Sequence, residues 1–248
     1  MVTHISQRQN QFFYFDQLLD HPGWKGNKIL DFGGNVGGFL SGAGENVDED
    51  DYWCLDVTKA AVERGQHIFP RAHFVHYNRY SSYFNADGVP YLKVPDLGLK
   101  FSYILAFSVF THTHRNEMVE LVTQLRGSLE PQGVLAFTYS DPSYDKSLAN
   151  PALPRGTGIL SMFDSSSGDP RAKSGPSWCV VIDEQVFMEP GDEYCQQKRQ
   201  GRPGESYCSY FTTTYMLSLF PDAQIRPPAC REWQHCCILK NSVREQSS

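Results

Sequence analysis

Two hydrophobic periods alternate along this chain. Over residues 11–20 (QFFYFDQLLD), Phe12, Phe15, Leu18 and Leu19 recur at three- and four-residue spacing, which predicts a short amphipathic helix ending near Pro22 and Gly23. Residues 28–32 (KILDF) then read as a short buried strand, followed at once by a glycine-rich turn over 33–38 and a small-residue stretch over 39–44 that begins a helix. A second strand covers 52–55 and ends at Asp56. Thr58 is placed to cap the helix after it, with Ala61, Val62 and Ile68 facing inward. Residues 73–76 give a third strand and 79–100 a loop. The strongest strand signal is 101–109 (FSYILAFSV). After it, Met118, Leu121, Val122, Leu125 and Leu129 hold the spacing of a long helix that Pro131 and Gly133 end, and 133–139 is a fifth strand. Strands alternating with helices at this spacing predict a parallel sheet covered on both faces.

The pattern changes over residues 141–210. Pro, Gly and Ser crowd 142–177 and no long helical period appears. Short strand-like pieces at 178–182 and 185–188 flank Asp183-Glu184 as a hairpin would. Thr212 caps a last helix through Tyr215, Met216, Leu217 and Phe220, and 223–226 and 233–239 are two final strands. The expected organisation is one α/β domain over 1–248 with a Rossmann-like, doubly wound, seven-stranded, mostly parallel sheet. It divides into an N-terminal helical segment 1–27, a core 28–140, a lid or substrate insertion 141–210 between strands five and six, and a closing helix and strands 211–240.

Composition narrows the class. The 248 residues carry 22 Lys and Arg against 28 Asp and Glu, a formal charge of −6. A net-acidic chain without a basic stripe lacks the broad electrostatic pull of a nucleic-acid binder. No apolar run approaches the roughly 20 residues of a membrane span, and the N-terminus lacks the apolar core of a signal peptide. Seven cysteines, an odd number with no CxxC, fit reduced thiols in a cytoplasmic protein better than a disulfide framework.

The chemistry begins at 29–37 (ILDFGGNVG), a strand ending in an acid and a tight turn into a helix. Gly33 and Gly37 remove side chains that would block a ligand's approach to backbone, and Asn35 tolerates positive φ. Neither register of this turn supplies the G-x-G-x-x-G of a dinucleotide site, because its middle glycine is missing. A nucleoside without a pyrophosphate is the alternative, with Asp31 placed near a cationic amine or sulfonium. Asp56, 25 residues later, can accept two hydrogen bonds from vicinal ribose hydroxyls; its bland reading is a helix cap.

Taken with Phe107-Ser108-Val109-Phe110-Thr111-His112 after the fourth strand, this run resembles the class I S-adenosylmethionine-dependent methyltransferases of small-molecule type over about residues 28–140. Those proteins usually carry Gly where Asn35 stands. The resemblance implies S-adenosylmethionine as methyl donor and S-adenosylhomocysteine as product. It implies that Asp31, Gly33, Gly34, Asn35 and Gly37 line the methionine portion, that Asp56 holds the ribose, that Val57 packs on adenine, and that Asn78 reads the adenine amine. Phe107 and Ser108 then border the cofactor beneath the acceptor.

His112, beyond the fourth strand, is the candidate general base, against a structural reading in which it packs or caps the next helix. His112, His114 and Asp141 make a weak ligand set, so no metal is expected. Asp141-Pro142-Ser143-Tyr144 is similar to the D-P-P-Y of DNA amino-methyltransferases, but follows the wrong strand. The aromatic residues of the insertion (Tyr144, Phe163, Trp178, Phe187, Tyr194, Tyr207, Tyr210) suit a lid over a partly apolar or aromatic small-molecule acceptor, or a small core of the insertion itself. A homodimer is compatible with the sequence. A nicotinamide-dependent oxidoreductase and a non-catalytic cofactor-binding homologue are the competing readings.

Overall fold

The computed structural model describes residues 3–143, 159, 161–182, 185–191, 207–230 and 232–241. Its core is a seven-stranded sheet built from β1 (Ile29–Phe32), β2 (Tyr52–Asp56), β3 (His73–His76), β4 (Phe101–Ala106), β5 (Leu129–Tyr139), β9 (Gln224–Arg226) and β10 (His235–Lys240). The spatial order is β3-β2-β1-β4-β5-β10-β9. Strands β1 to β5 run parallel, and β10 lies antiparallel to both β5 and β9. This is the mostly parallel, doubly wound sheet that the alternating pattern predicts.

Strand β1 is buried along its whole length because both faces of the sheet are covered. Ile29 faces helix α1 (Thr3–Leu18) and helix α2 (Gly38–Ala43), packing with Phe12, Tyr14, Phe15, Trp24 and Phe39. Leu30 and Phe32 face helix α4 (Arg115–Arg126), packing with Met118, Leu121, Val122 and Leu125. Likewise Cys236 and Cys237 of β10 enter opposite layers, as strand alternation requires. Helix α3 (Lys59–Ile68) inserts Ala61 and Val62, while Ile68 is 47% exposed, contrary to expectation. Its period places that residue a turn past the buried stripe. Thr58 makes no side-chain cap; Asp56 Oδ1 accepts the Thr58 backbone N–H instead, at 2.7 Å.

Two other boundaries move. Helix α4 stops at Arg126, and Leu129 already belongs to β5, so Pro131 to Gly133 lie inside a strand and do not end a helix. A register shift opposite Phe101 and Tyr103 absorbs them, with Gln132 at φ 67. Between β3 and β4 the chain crosses the sheet as a loop whose Leu92, Val94, Leu97 and Leu99 pack on the α4 side of the core in place of a helix.

The insertion contributes a second, antiparallel sheet of β6 (Trp178–Ile182), β7 (Gln185–Met188) and β8 (Tyr207–Phe211), ordered β7-β6-β8. The hairpin is as expected; β8 is additional. Trp178, Val180, Ile182 and Phe211 join the main core, whereas Cys179 packs with Ile159, Phe163, Val186 and Met188 on the other face. Of the lid aromatics, Trp178 and Phe187 pack on the main core and Phe163 and Tyr210 on the other face. Tyr144 and Tyr194 lie outside the described residues. Helix α5 (Thr213–Leu219) starts with the Thr212 hydroxyl accepting the Tyr215 N–H, as its sequence predicts.

Candidate active site

The carboxyl ends of β1, β2 and β4 meet at one edge of the sheet, and a cavity of about 290 Å³ opens there. Parallel α/β sheets bind ligands at this edge because the crossovers leave a crevice beyond the strand ends. Gly33, Asn35, Asp56, Val57, Phe107, Ser108 and His112 all line it. Asp31, Gly34, Gly37 and Asn78 do not.

The two acids at the strand tips have different tasks. Asp31 is buried beneath the turn, where its Oδ2 accepts the Tyr52 hydroxyl at 2.6 Å. Burial pushes its carboxyl up to about 7, the Tyr52 hydrogen bond opposes that rise, and the charge of Asp56 adds to it. A Cβ on Gly34 would sit 2.5 Å from the Asp31 carboxyl, so this glycine makes room for a protein side chain. Gly33 and Gly37 behave alike: a Cβ on Gly33 would meet Val109 at 2.4 Å, and one on Gly37 the rings of Phe69 and Phe74 at about 3.1 Å. Gly33 also keeps its place on the cavity wall, whereas Gly37 does not line it. They let the turn fold onto its own neighbours, at φ 78 and φ 83.

Asp56 is the acid that reaches the cavity. Its Oδ2 accepts the Asn35 backbone N–H at 2.8 Å and its Oδ1 that of Thr58 at 2.7 Å. Each oxygen keeps one lone-pair site for a ligand hydroxyl. Asn35 stands at φ 54, the left-handed geometry for which asparagine suits the turn. Asn78 is exposed, its side-chain oxygen accepting from Asn85 Nδ2, and its neighbour Tyr77 takes the cavity position. Strand alternation beyond β3 accounts for this swap.

Several cavity residues lie in the loop that sequence pattern left without structure. Arg79, only 3% exposed, donates from Nε to Glu117 Oε1 at 3.0 Å, from Nη2 to Glu120 Oε2 at 3.0 Å and from Nη1 to the Leu92 carbonyl at 2.7 Å. Burial works against this cation, but Glu120 and Glu117 outweigh it and hold the guanidinium above its ordinary range. The sequence signal, a loop arginine and two glutamates one helical turn apart on α4, has no meaning until the loop crosses that helix. Tyr80, Ser81, Ser82 and Phe84 follow Arg79 over the cavity.

His112 is half-buried, its ring edge-on to Phe84 with centroids 5.3 Å apart. His114 is buried and caps α4, its Nδ1 accepting the Glu117 N–H at 3.4 Å. Asp141 is committed to structure: Oδ1 accepts from Ser143 and Oδ2 from the N–H and hydroxyl of Thr213, at 2.8 and 2.7 Å. Burial pushes the thiols of Cys54, Cys179, Cys236 and Cys237 well up, so they are poor nucleophiles.

The glycine turn, the Asp56 carboxylate with its spare lone-pair sites and the apolar side chains of Val57 and Val109 thus share one cavity. Residues 30–135 match the family model described as a methyltransferase domain. That segment, which holds the Gly33–Asn35 turn, Asp56 and Ser108, is similar to a methyltransferase domain. No curated protein matches this chain. Among solved structures, an S-adenosylmethionine-dependent methyltransferase from Clostridium acetobutylicum superposes with a TM-score of 0.54 at 8% identity, over 96% of this chain and 92% of that one. The amino pentose methyltransferase CalS10 from Micromonospora echinaspora gives 0.53 at 13%, over 98% and 97%. The glycopeptide N-methyltransferase MtfA, complexed with sinefungin, gives 0.52 at 9%, over 96% and 94%. At these identities the likeness is one of fold.

Proposed function

We propose that this chain is a methyltransferase that moves a methyl group from S-adenosylmethionine to a small-molecule acceptor, partly apolar or aromatic, in the cytoplasm. The observation that supports it best is the placement of Asp56 beside the Gly33–Asn35 turn on one cavity. Asp56 accepts the ribose hydroxyls, Val57 and Val109 flank the base, and Phe107 and Ser108 border the methionyl side. Asp31 acts from beneath the turn, setting its shape. The donor supplies an activated sulfonium methyl; the acceptor's lone pair forms the new bond as the carbon–sulfur bond breaks, leaving a neutral thioether and one proton to be removed. Alignment and exclusion of water by the residue 80–84 cover then carry most of the catalysis. His112 takes the proton where the acceptor is a hydroxyl. A cavity of about 290 Å³ favours a small acceptor over nucleic acid, and the amino pentose and glycopeptide named for CalS10 and MtfA are not nucleic acids. A homodimer is part of this reading.

Calorimetric titration tests it. S-adenosylhomocysteine should bind and NAD should not; the reverse would replace the reading with a nicotinamide enzyme. Asp56→Ala should weaken S-adenosylhomocysteine by about 1–3 kcal/mol, since a charged acceptor of two hydroxyls is lost.

A further inference from the structure

The turn after β4 holds a strained residue whose described hydrogen-bond partners are all side chains. Ser108, which lines the cavity, stands at φ 58, a left-handed conformation unusual for serine. Its N–H donates to Thr138 Oγ1 at 2.7 Å. Its carbonyl accepts the Thr111 hydroxyl at 3.0 Å. Its own Oγ accepts Gln234 Nε2 at 3.0 Å and shares a proton with Thr111 Oγ1 at 3.2 Å. The Thr138 hydroxyl closes the ring by donating to Gln234 Oε1 at 2.5 Å. All three polar groups of Ser108 are therefore held by side chains, from β5, from the turn itself and from the residue preceding β10.

Proton count fixes this arrangement. Thr138 Oγ1 receives the Ser108 N–H, so its single proton goes to Gln234. The amide of Gln234 must then turn its nitrogen to Ser108. Thr138 and Gln234 are both buried, so loss of Gln234 leaves the Thr138 hydroxyl without its acceptor away from water, and loss of the Thr138 hydroxyl leaves the Ser108 N–H without its partner. Helix α1 joins from the other side: the Tyr14 hydroxyl donates to the Gln234 carbonyl at 2.7 Å, and the rings of Tyr14 and Phe15 stand edge-on to Phe107 at 5.4 and 6.1 Å.

We propose that Thr138 and Gln234 are positioning residues that hold the Phe107–Ser108 turn in its strained shape against the cofactor. Their hydroxyl and amide substitute for the glycine that a left-handed position would otherwise require. The inference rests on the reading that this turn borders S-adenosylmethionine.

The test is a double-mutant cycle read by S-adenosylhomocysteine affinity. Thr138→Val, which keeps shape and removes the hydroxyl, should weaken binding about tenfold, while Thr138→Ser should bind within about twofold of wild type. In a Ser108→Gly background, where φ 58 carries no strain, Thr138→Val should weaken binding less than about threefold. A merely structural loss would be the same in both backgrounds. Gln234→Ala provides the second arm if Thr138→Val does not fold, and should show the same rescue by Ser108→Gly. Equal losses with and without Ser108→Gly, or no loss from either variant, overturn the proposal while leaving the methyl-transfer reading intact. Failure of the wild-type protein to bind S-adenosylhomocysteine overturns both.

Discussion

Two aspartates at neighbouring strand tips show how far residue type alone determines behaviour. Asp56 keeps its carboxylate at a cavity wall, whereas Asp31 lies under Gly34 with the Tyr52 hydroxyl as partner. Burial holds the Asp31 carboxyl up to about 7 against an ordinary 3.8. A carboxyl raised on folding stabilises the protein fully below its unfolded value and loses that contribution as pH rises through the folded one. Wild type should therefore lose stability relative to Asp31→Asn between about pH 5 and about pH 8, by on the order of 2–3 kcal/mol. Urea melts of both proteins at the two pH values measure it; parallel pH profiles would show that Asp31 is ionised throughout. His112 has a sharper kinetic signature. As a base it makes His112→Ala lose more turnover at neutral pH than at high pH, whereas a ring that only packs on Phe84 gives a loss independent of pH. Both aspartates and the histidine were legible in the sequence as acids and a base at strand ends. Which of them faces the cavity was not, because that depends on side-chain directions a short strand does not fix.

At the scale of elements, the crossover between β3 and β4 departs most from its pattern. Helical period is absent there, and the loop substitutes four scattered apolar anchors and one buried arginine for a helix face. Arg79 ties the loop to Glu117 and Glu120 of α4, and the residues after it cover the cavity. Removing one partner of a buried ion group leaves the others uncompensated. Arg79→Met should lower stability by about 3 kcal/mol and speed proteolytic cleavage within 80–91 ahead of global unfolding. Limited proteolysis followed by mass spectrometry distinguishes this from a uniform loss. The other element-level differences, at α4 and β5, come from Leu129. It continues the helical spacing of α4 but is claimed by pairing with Phe101, since tertiary contacts outweigh the weak local preference of one residue.

For the molecule as a whole, helix α1 forms part of the core. Phe12, Tyr14, Phe15 and Leu18 are buried against Trp24, Phe39 and Phe107, so the helix seals one face of the sheet and braces the turn at the cavity. A chain lacking residues 1–20 should expose that layer and fail to give a soluble, cooperatively melting protein; circular dichroism of the truncated chain checks this. No helix among the described residues is long and apolar enough to cross a membrane. The sequence by itself determined the order of the main sheet's strands and helices along the chain, the glycine turn and the acids at the ends of β1 and β2, because hydrophobic period and backbone conformational limits act over a few residues. Only the tertiary structure decided that the glycines serve protein packing, that Arg79 sits beneath the cover, and that Thr138 and Gln234 reach Ser108 from distant strands. Those facts arise from side chains far apart in sequence being desolvated together, and no local pattern encodes which buried polar groups will find one another.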